Sequence, residues 1–197
     1  MDQKDLELAY QQGDYQEILN SIESIGYTNE NSDYFYYYIG SNIELGHLNK
    51  VEVLLNQYEP ISITPENVII WHLLKGKYYN ALNEFNYAIN ELELALKFCP
   101  RKKKSIIRAE INVQLAYALR GTKKYYLAID IAQQAYYGMM TINYKPLIAQ
   151  TYSILGLLHC DIKDFNKARN FLKEALLLFE DLNKTSTLYF SIKELRS

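Results

Sequence analysis

The sequence predicts an all-α protein, a solenoid of about five helix pairs stacked along the chain. Three observations support this prediction. Apolar residues recur at steps of three and four, which is the spacing of one face of a helix. Only 8 glycines and 4 prolines occur among 197 residues, which leaves little turn chemistry for an all-β fold. A short block also recurs five times, at intervals typical of helical repeat arrays.

Each repeated block starts with two small or polar residues, continues with a large apolar or aromatic residue, and has a small or β-branched residue three positions later. The blocks begin at Gly13, Gly46, Asn83, Lys123 and Lys163. Their last residues are Ile18, Val51, Ala88, Ala128 and Ala168, at spacings of 33, 37, 40 and 40. Because a helical pattern lies on both sides, each block predicts the turn inside one helix pair.

Small residues recur at matching places in the last three pairs. The first helices carry Gly76, Ala116 and Gly156, and the second helices carry Ala88, Ala128 and Ala168. Small side chains allow two helix axes to approach closely. We therefore expect tight packing within each pair.

The chain is expected to form a single domain with helix starts that its caps identify. The expected repeats cover residues 3–28, 31–60, 64–100, 105–141 and 145–183. Thr64 followed by Pro65 predicts a helix start, as do Ser105 and Pro146. A last helix over about 186–196 is expected to cover the end of the array, since terminal repeats need a capping element.

These patterns resemble the tetratricopeptide repeat. Its motif places a large residue, Leu-Gly and Tyr on the first helix, then Ala, a large residue, Ala and Pro. Residues 152–175 match almost throughout and residues 76–100 match well, whereas the first two repeats are degenerate. The resemblance implies a right-handed α-solenoid without catalytic activity. Its concave groove, lined by first helices, would hold a peptide or an extended protein segment.

The family pattern also implies which residues face the groove. They are Tyr36, Tyr37, Leu73, Lys77, Asn80, Val113, Gln114, Tyr117, Arg120, Gln150, Ser153 and Leu157. Amides can pair with an extended backbone, while aromatic and aliphatic groups form side-chain pockets. The Lys and Asn clamp that some family members use for a partner's terminal carboxylate is not matched. Its positions carry Leu73, Val113 and Ser153, then Lys77, Tyr117 and Leu157.

A second resemblance covers residues 144–195. This stretch looks like the end of the repeat domain in Rap/PlcR-type peptide-pheromone receptors, which are cytoplasmic bacterial regulators. It implies an alternative function, the sensor domain of such a regulator. The amino-terminal DNA-binding or effector domain of those regulators has no counterpart in this sequence.

Two further features suggest self-association as a third alternative. Residues 34–38 are Tyr-Phe-Tyr-Tyr-Tyr and point all round a helix, so one face is expected to be open to the groove, the outer surface or another subunit. Residues 1–66 hold 12 acidic and 2 basic residues, a net charge of −10, whereas residues 67–197 hold 11 acidic and 19 basic residues, a net charge of +8. Such polarity can steer a partner or favour head-to-tail contact. A structural homo-oligomer, such as a homodimer, would use either feature.

No enzyme, cofactor or metal motif is found. His47, His72 and His159 are far apart, and His159 beside Cys160 lacks a second pair at metal-ligand spacing. There is no phosphate-binding glycine loop and no Gly-x-Ser-x-Gly elbow. We therefore expect protein or peptide partners and no catalysis.

Membrane and nucleic-acid partners are also not expected. No apolar run reaches membrane-spanning length, and the acidic first 20 residues are unlike a signal peptide. The basic residues 101–104 lack an aromatic platform or a recognition helix. These features favour a cytoplasmic protein with no direct nucleic-acid contact.

Overall fold

A computed structural model describes residues 2–25, 32–57, 64–100, 105–139 and 144–182. Every regular element in these ranges is an α-helix, which confirms the all-α prediction. The ten helices are α1 (Gln3–Gln12), α2 (Tyr15–Ile25), α3 (Ser32–Glu44), α4 (Leu48–Gln57), α5 (Pro65–Ala81), α6 (Phe85–Phe98), α7 (Ile106–Gly121), α8 (Tyr125–Met139), α9 (Lys145–Asp161) and α10 (Phe165–Asp181). None of these ten is long and apolar enough to cross a membrane. The expected capping helix over 186–196 and the basic residues 101–104 lie outside the described residues.

The chain divides into two compact units. Unit 1 comprises Met1–Cys99 and contains three helix pairs, α1–α2, α3–α4 and α5–α6. Unit 2 comprises Pro100–Ser197 and contains two pairs, α7–α8 and α9–α10. In each unit the two helices of a pair pack against each other, and successive first helices also touch. This neighbour-to-neighbour packing is the organisation of a helical repeat array.

The five turns inside the pairs share one backbone geometry. In the fourth pair, the Lys123 amide donates to the Arg120 carbonyl and the Lys124 amide donates to the Leu119 carbonyl, both at 2.9 Å. The same two bonds recur in the other four turns. They define a Schellman motif, which places one residue in the left-handed region. That residue has a φ of 61° to 84°, and it is the first residue of each sequence block: Gly13, Gly46, Asn83, Lys123 and Lys163.

The predicted helix starts are found where side chains cap them. The Thr64 hydroxyl accepts a hydrogen bond from the Asn67 amide at 3.2 Å, and Pro65 begins α5. The Ser105 hydroxyl accepts from the Arg108 amide at 3.3 Å. Both bonds satisfy an amide that has no partner inside its helix.

Helix pairs pack most closely at their glycines. A Cβ atom on Gly76 would lie 2.5 Å from Leu92 Cγ, and a Cβ atom on Gly156 would lie 2.6 Å from Leu172 Cγ. In the fourth pair the equivalent positions hold two fully buried alanines, Ala116 and Ala132. The bulk that one helix lacks is thus supplied by the other, which confirms the expected close approach.

Candidate functional site

The first helices of unit 2 carry the surface that best fits the predicted groove. Helices α7 and α9 pack side by side. Gln114 and Tyr117 are half-buried and lie three residues apart on α7, so they share one helix face. Gln150 and Leu157 are half-buried and share a face of α9. We call these four residues the α7–α9 face.

Arg120 joins the carboxy-terminal ends of α7 and α9. Its Nε donates to Asp161 Oδ2 at 2.6 Å, and its Nη2 donates to Asp161 Oδ1 at 3.3 Å. Two such bonds fix both the distance and the angle between guanidinium and carboxylate. Arg120 therefore sets the spacing of the two helices, and its charge is balanced within the protein.

Other predicted groove residues of both units are buried. Ser153 is covered on α9, where its hydroxyl donates to the Ala149 carbonyl at 2.8 Å. Leu73 and Val113 are also buried, and so is Asn80. Their surroundings assign these side chains to the packing of the array, and the α7–α9 face excludes them.

Lys77 is held inside unit 1 by residues from two other helices. Its side chain is only 6% exposed, and its Nζ donates to the Tyr10 hydroxyl at 3.0 Å and lies 3.6 Å from Glu44 Oε1. Tyr10 passes over Gly40, where an added Cβ would lie 2.6 Å from its hydroxyl oxygen. Helix α1 thus reaches α5 across α3, and the predicted groove lysine is occupied by the chain itself.

The aromatic stretch at residues 34–38 packs within unit 1. Tyr36 and Tyr37 are half-buried, with ring centroids 5.2 Å apart, and each ring also packs against Tyr10, at 5.5 Å and 5.6 Å. Tyr38 is buried and donates its hydroxyl to Glu23 at 2.9 Å. Hydrogen bonds from Lys50 and Tyr38 hold the pKa of Glu23 below its ordinary value. In this unit the tyrosines therefore bind the first helix pair to the second.

A charged cluster in the third pair was not singled out from the sequence. Glu91 on α6 accepts from His72 Nδ1 and from Lys75 Nζ, each at 2.7 Å. Burial alone would raise the pKa of Glu91, but these hydrogen bonds outweigh burial and lower it. Lys75 also lies 4.4 Å from the centre of the Trp71 ring. These contacts tie α5 to α6. Across the described ranges, no three His, Cys, Asp or Glu side chains are grouped to hold a metal ion.

Comparison with known families agrees with the repeat geometry. Residues 107–181 match the family model described as tetratricopeptide repeat. These residues are tetratricopeptide repeats. The match runs from the first turn of α7 to the end of α10, so it includes the whole α7–α9 face. The predicted resemblance is confirmed.

Two solved structures share the fold of the chain. One is Bacillus thuringiensis PlcR in complex with the peptide PapR7 and DNA, with a TM-score of 0.74 and 18% identity over 98% of this chain and 71% of that chain. The other is BtubC (BKLC) from P. vanneervenii, with a TM-score of 0.63 and 16% identity over 95% of this chain and 83% of that chain. Both similarities support the helical-repeat solenoid. No curated protein matches the sequence.

Proposed function

We propose that the chain is a non-catalytic module that binds a peptide or an extended protein segment on the α7–α9 face. The observation that carries this proposal is the composition of that face: two amides, a phenol and an aliphatic side chain stand half-buried on adjacent first helices. Two comparisons support it. The tetratricopeptide match spans both helices, and PlcR, which shares the fold, was solved with a bound peptide.

The chemistry of the face suits an extended backbone. Gln114 and Gln150 each offer an amide donor and an amide acceptor, which are the groups that an unpaired peptide backbone needs. Tyr117 and Leu157 offer apolar surface for side chains, and the Tyr117 hydroxyl adds a polar tip. Since Asp161 balances the Arg120 charge, we expect recognition to depend on amides and apolar contacts.

The test is a selection of random unstructured peptides on the immobilised protein, followed by affinity measurement for the enriched sequences. Tyr117→Ala should weaken binding by about thirtyfold, since loss of an aromatic anchor costs about 2 kcal/mol. Tyr137 on α8 is 68% exposed and provides the matched control. Tyr137→Ala should leave affinity unchanged. Equal loss in both variants, or intact binding in Tyr117→Ala, would contradict the assignment of the face.

A second candidate function is peptide sensing. It is favoured by the PlcR comparison, which covers 98% of this chain. In this function a short peptide would change the shape of the array and thereby the state of a partner, within the cytoplasm. Small-angle scattering with a selected peptide distinguishes the two functions. A sensor should lose radius of gyration on peptide binding, whereas a scaffold should keep its dimensions.

A further inference from the structure

The turns of unit 2 carry a row of exposed lysines. Lys123 and Lys124 occupy the turn between α7 and α8, Lys163 occupies the turn between α9 and α10, and Lys167 lies in the first turn of α10. Asp164 is the acidic residue within the turns, and it caps α10 by accepting from the Lys167 amide. We call these four lysines the basic ridge.

Two of these lysines occupy a backbone position that favours glycine. Lys123 and Lys163 have φ values of 62° and 64°, whereas the equivalent turns of the first two pairs use Gly13 and Gly46. The left-handed conformation costs a side-chain-bearing residue about 1–2 kcal/mol. The negative end of the preceding helix returns about 0.3–1 kcal/mol to a cation. Local folding therefore favours glycine, and the lysines need another explanation.

Exposed aromatic rings accompany the basic ridge. Tyr126 is 75% exposed at the start of α8, and Phe165 is 62% exposed at the start of α10. Each ring follows a ridge lysine by two residues, at the same turn. Aromatic side chains that bury their faces supply much of the affinity of protein interfaces, while flanking charges choose the partner.

The complementary surface occurs in the same sequence. Unit 1 holds 15 acidic and 5 basic residues, a net charge of −10, whereas unit 2 holds 8 acidic and 16 basic residues, a net charge of +8. In the first helix pair, Glu7 and Glu17 are exposed on α1 and α2. Leu8 beside Glu7 is exposed too. This pair thus offers both the acidic charge and the apolar surface that the basic ridge lacks.

We propose that the protein self-associates, with the basic ridge of one copy binding the α1–α2 pair of another copy. Charge complementarity brings the two surfaces together, and Tyr126 and Phe165 lose water against the apolar part of α1. The lysines are kept at strained turns because they form this contact. The proposal is independent of peptide binding on the α7–α9 face.

Sedimentation velocity tests the proposal on the full chain. The wild-type protein should rise above its monomer mass of 23.1 kDa as concentration increases. Raising NaCl from about 0.05 M to about 0.5 M should weaken association at least about tenfold, because salt screens the charges. A protein that stays monomeric, or an oligomer that salt does not affect, overturns the proposal.

Charge reversal locates the contact. Lys123→Glu with Lys163→Glu should abolish association, and so should Glu7→Lys with Glu17→Lys. Mixing the two double variants should restore a complex that neither forms alone. The control is Arg169→Glu with Lys173→Glu, which changes the charge of unit 2 equally at exposed positions of α10 away from the turns. Far-UV circular dichroism verifies that each variant keeps its helices.

The control and one further probe make the outcome decisive. If the α10 variant loses association as fully as the ridge variant, net charge rather than the ridge drives it, and the proposed contact is wrong. A single-stranded DNA oligonucleotide tests the other partner that lysines and aromatic rings suit. If the oligonucleotide binds the ridge while the protein stays monomeric, the ridge is a nucleic-acid surface and the proposal fails.

Discussion

Exchanging the packing of the third helix pair for that of the fourth tests how the repeats are built. Gly76 faces Leu92 in the third pair, whereas Ala116 and Ala132 hold the equivalent positions in the fourth. If the two positions share one volume, Gly76→Ala should be tolerated only when Leu92 is also reduced to alanine. The pair therefore forms a double-mutant cycle with a predicted sign.

The magnitudes follow from the geometry. In the wild-type background, the Cβ that Gly76→Ala adds lies 2.5 Å from Leu92 Cγ, so overpacking costs about 1–3 kcal/mol. Better helix propensity returns about 1 kcal/mol. Leu92 is fully buried, and Leu92→Ala alone should cost about 2–5 kcal/mol. In that background the clash is gone, so Gly76→Ala should stabilise by about 1 kcal/mol. The coupling energy is then about 2 kcal/mol, within the range for contacting residues.

Urea unfolding followed by far-UV circular dichroism measures all four free energies. A matched control cycle combines Gly76→Ala with Leu94→Ala, because Leu94 lies on the same helix as Leu92 and is exposed. That cycle should be additive. Two results would refute the argument: additivity in the Leu92 cycle, or a gain in stability from Gly76→Ala alone.

Three other substitutions probe single features of the fold. Lys123→Gly should raise the free energy of unfolding by about 0.5–1 kcal/mol, since glycine removes the left-handed strain at some cost in unfolded-state entropy. Tyr10→Phe should lower it by about 1 kcal/mol, because the buried Lys77 ammonium loses a hydrogen-bond acceptor. Burial lowers the pKa of His159 from the usual 6.5, so the neutral form is favoured in the folded state. Stability should therefore decline as pH falls below about 6.5, and the decline should be smaller in His159→Leu.

Neighbouring or exposed positions serve as controls for these three. Lys124→Gly alters the same turn at a residue outside the left-handed region and should bring no gain. Tyr126→Phe removes an exposed hydroxyl and should be neutral. For His159, urea midpoints at about pH 7.5, 6.5 and 5.5 give the slope. An unchanged slope in His159→Leu would mean that the imidazole does not contribute to this pH dependence.

The turns could be predicted from the sequence because their signal is local. Each Schellman motif depends on a few consecutive residues, and the first residue of every sequence block is the one with positive φ. The caps at Thr64 and Ser105 are local in the same way. A short pattern that repeats five times leaves little freedom in the placement of helices.

The surroundings of the groove residues could not be predicted in this way, because they depend on distant parts of the chain. Lys77 is covered by Tyr10, which lies 67 residues earlier. A family pattern marks Lys77 as a groove position without showing which helix covers it. The pairing of Arg120 with Asp161 did carry a signal. The first helices of unit 2 repeat at 40 residues, so opposite charges 41 residues apart lie at adjacent helix ends.

The shared turn geometry also has a consequence for how such a chain changes in length. The last three left-handed residues, Asn83, Lys123 and Lys163, are 40 residues apart and enter the same motif with two different side chains. A 40-residue segment cut at equivalent points of two successive turns therefore begins and ends in the same backbone conformation. Duplicating or removing one such segment preserves the turn at the junction. The array can thus gain or lose a whole helix pair by a single in-frame genetic event.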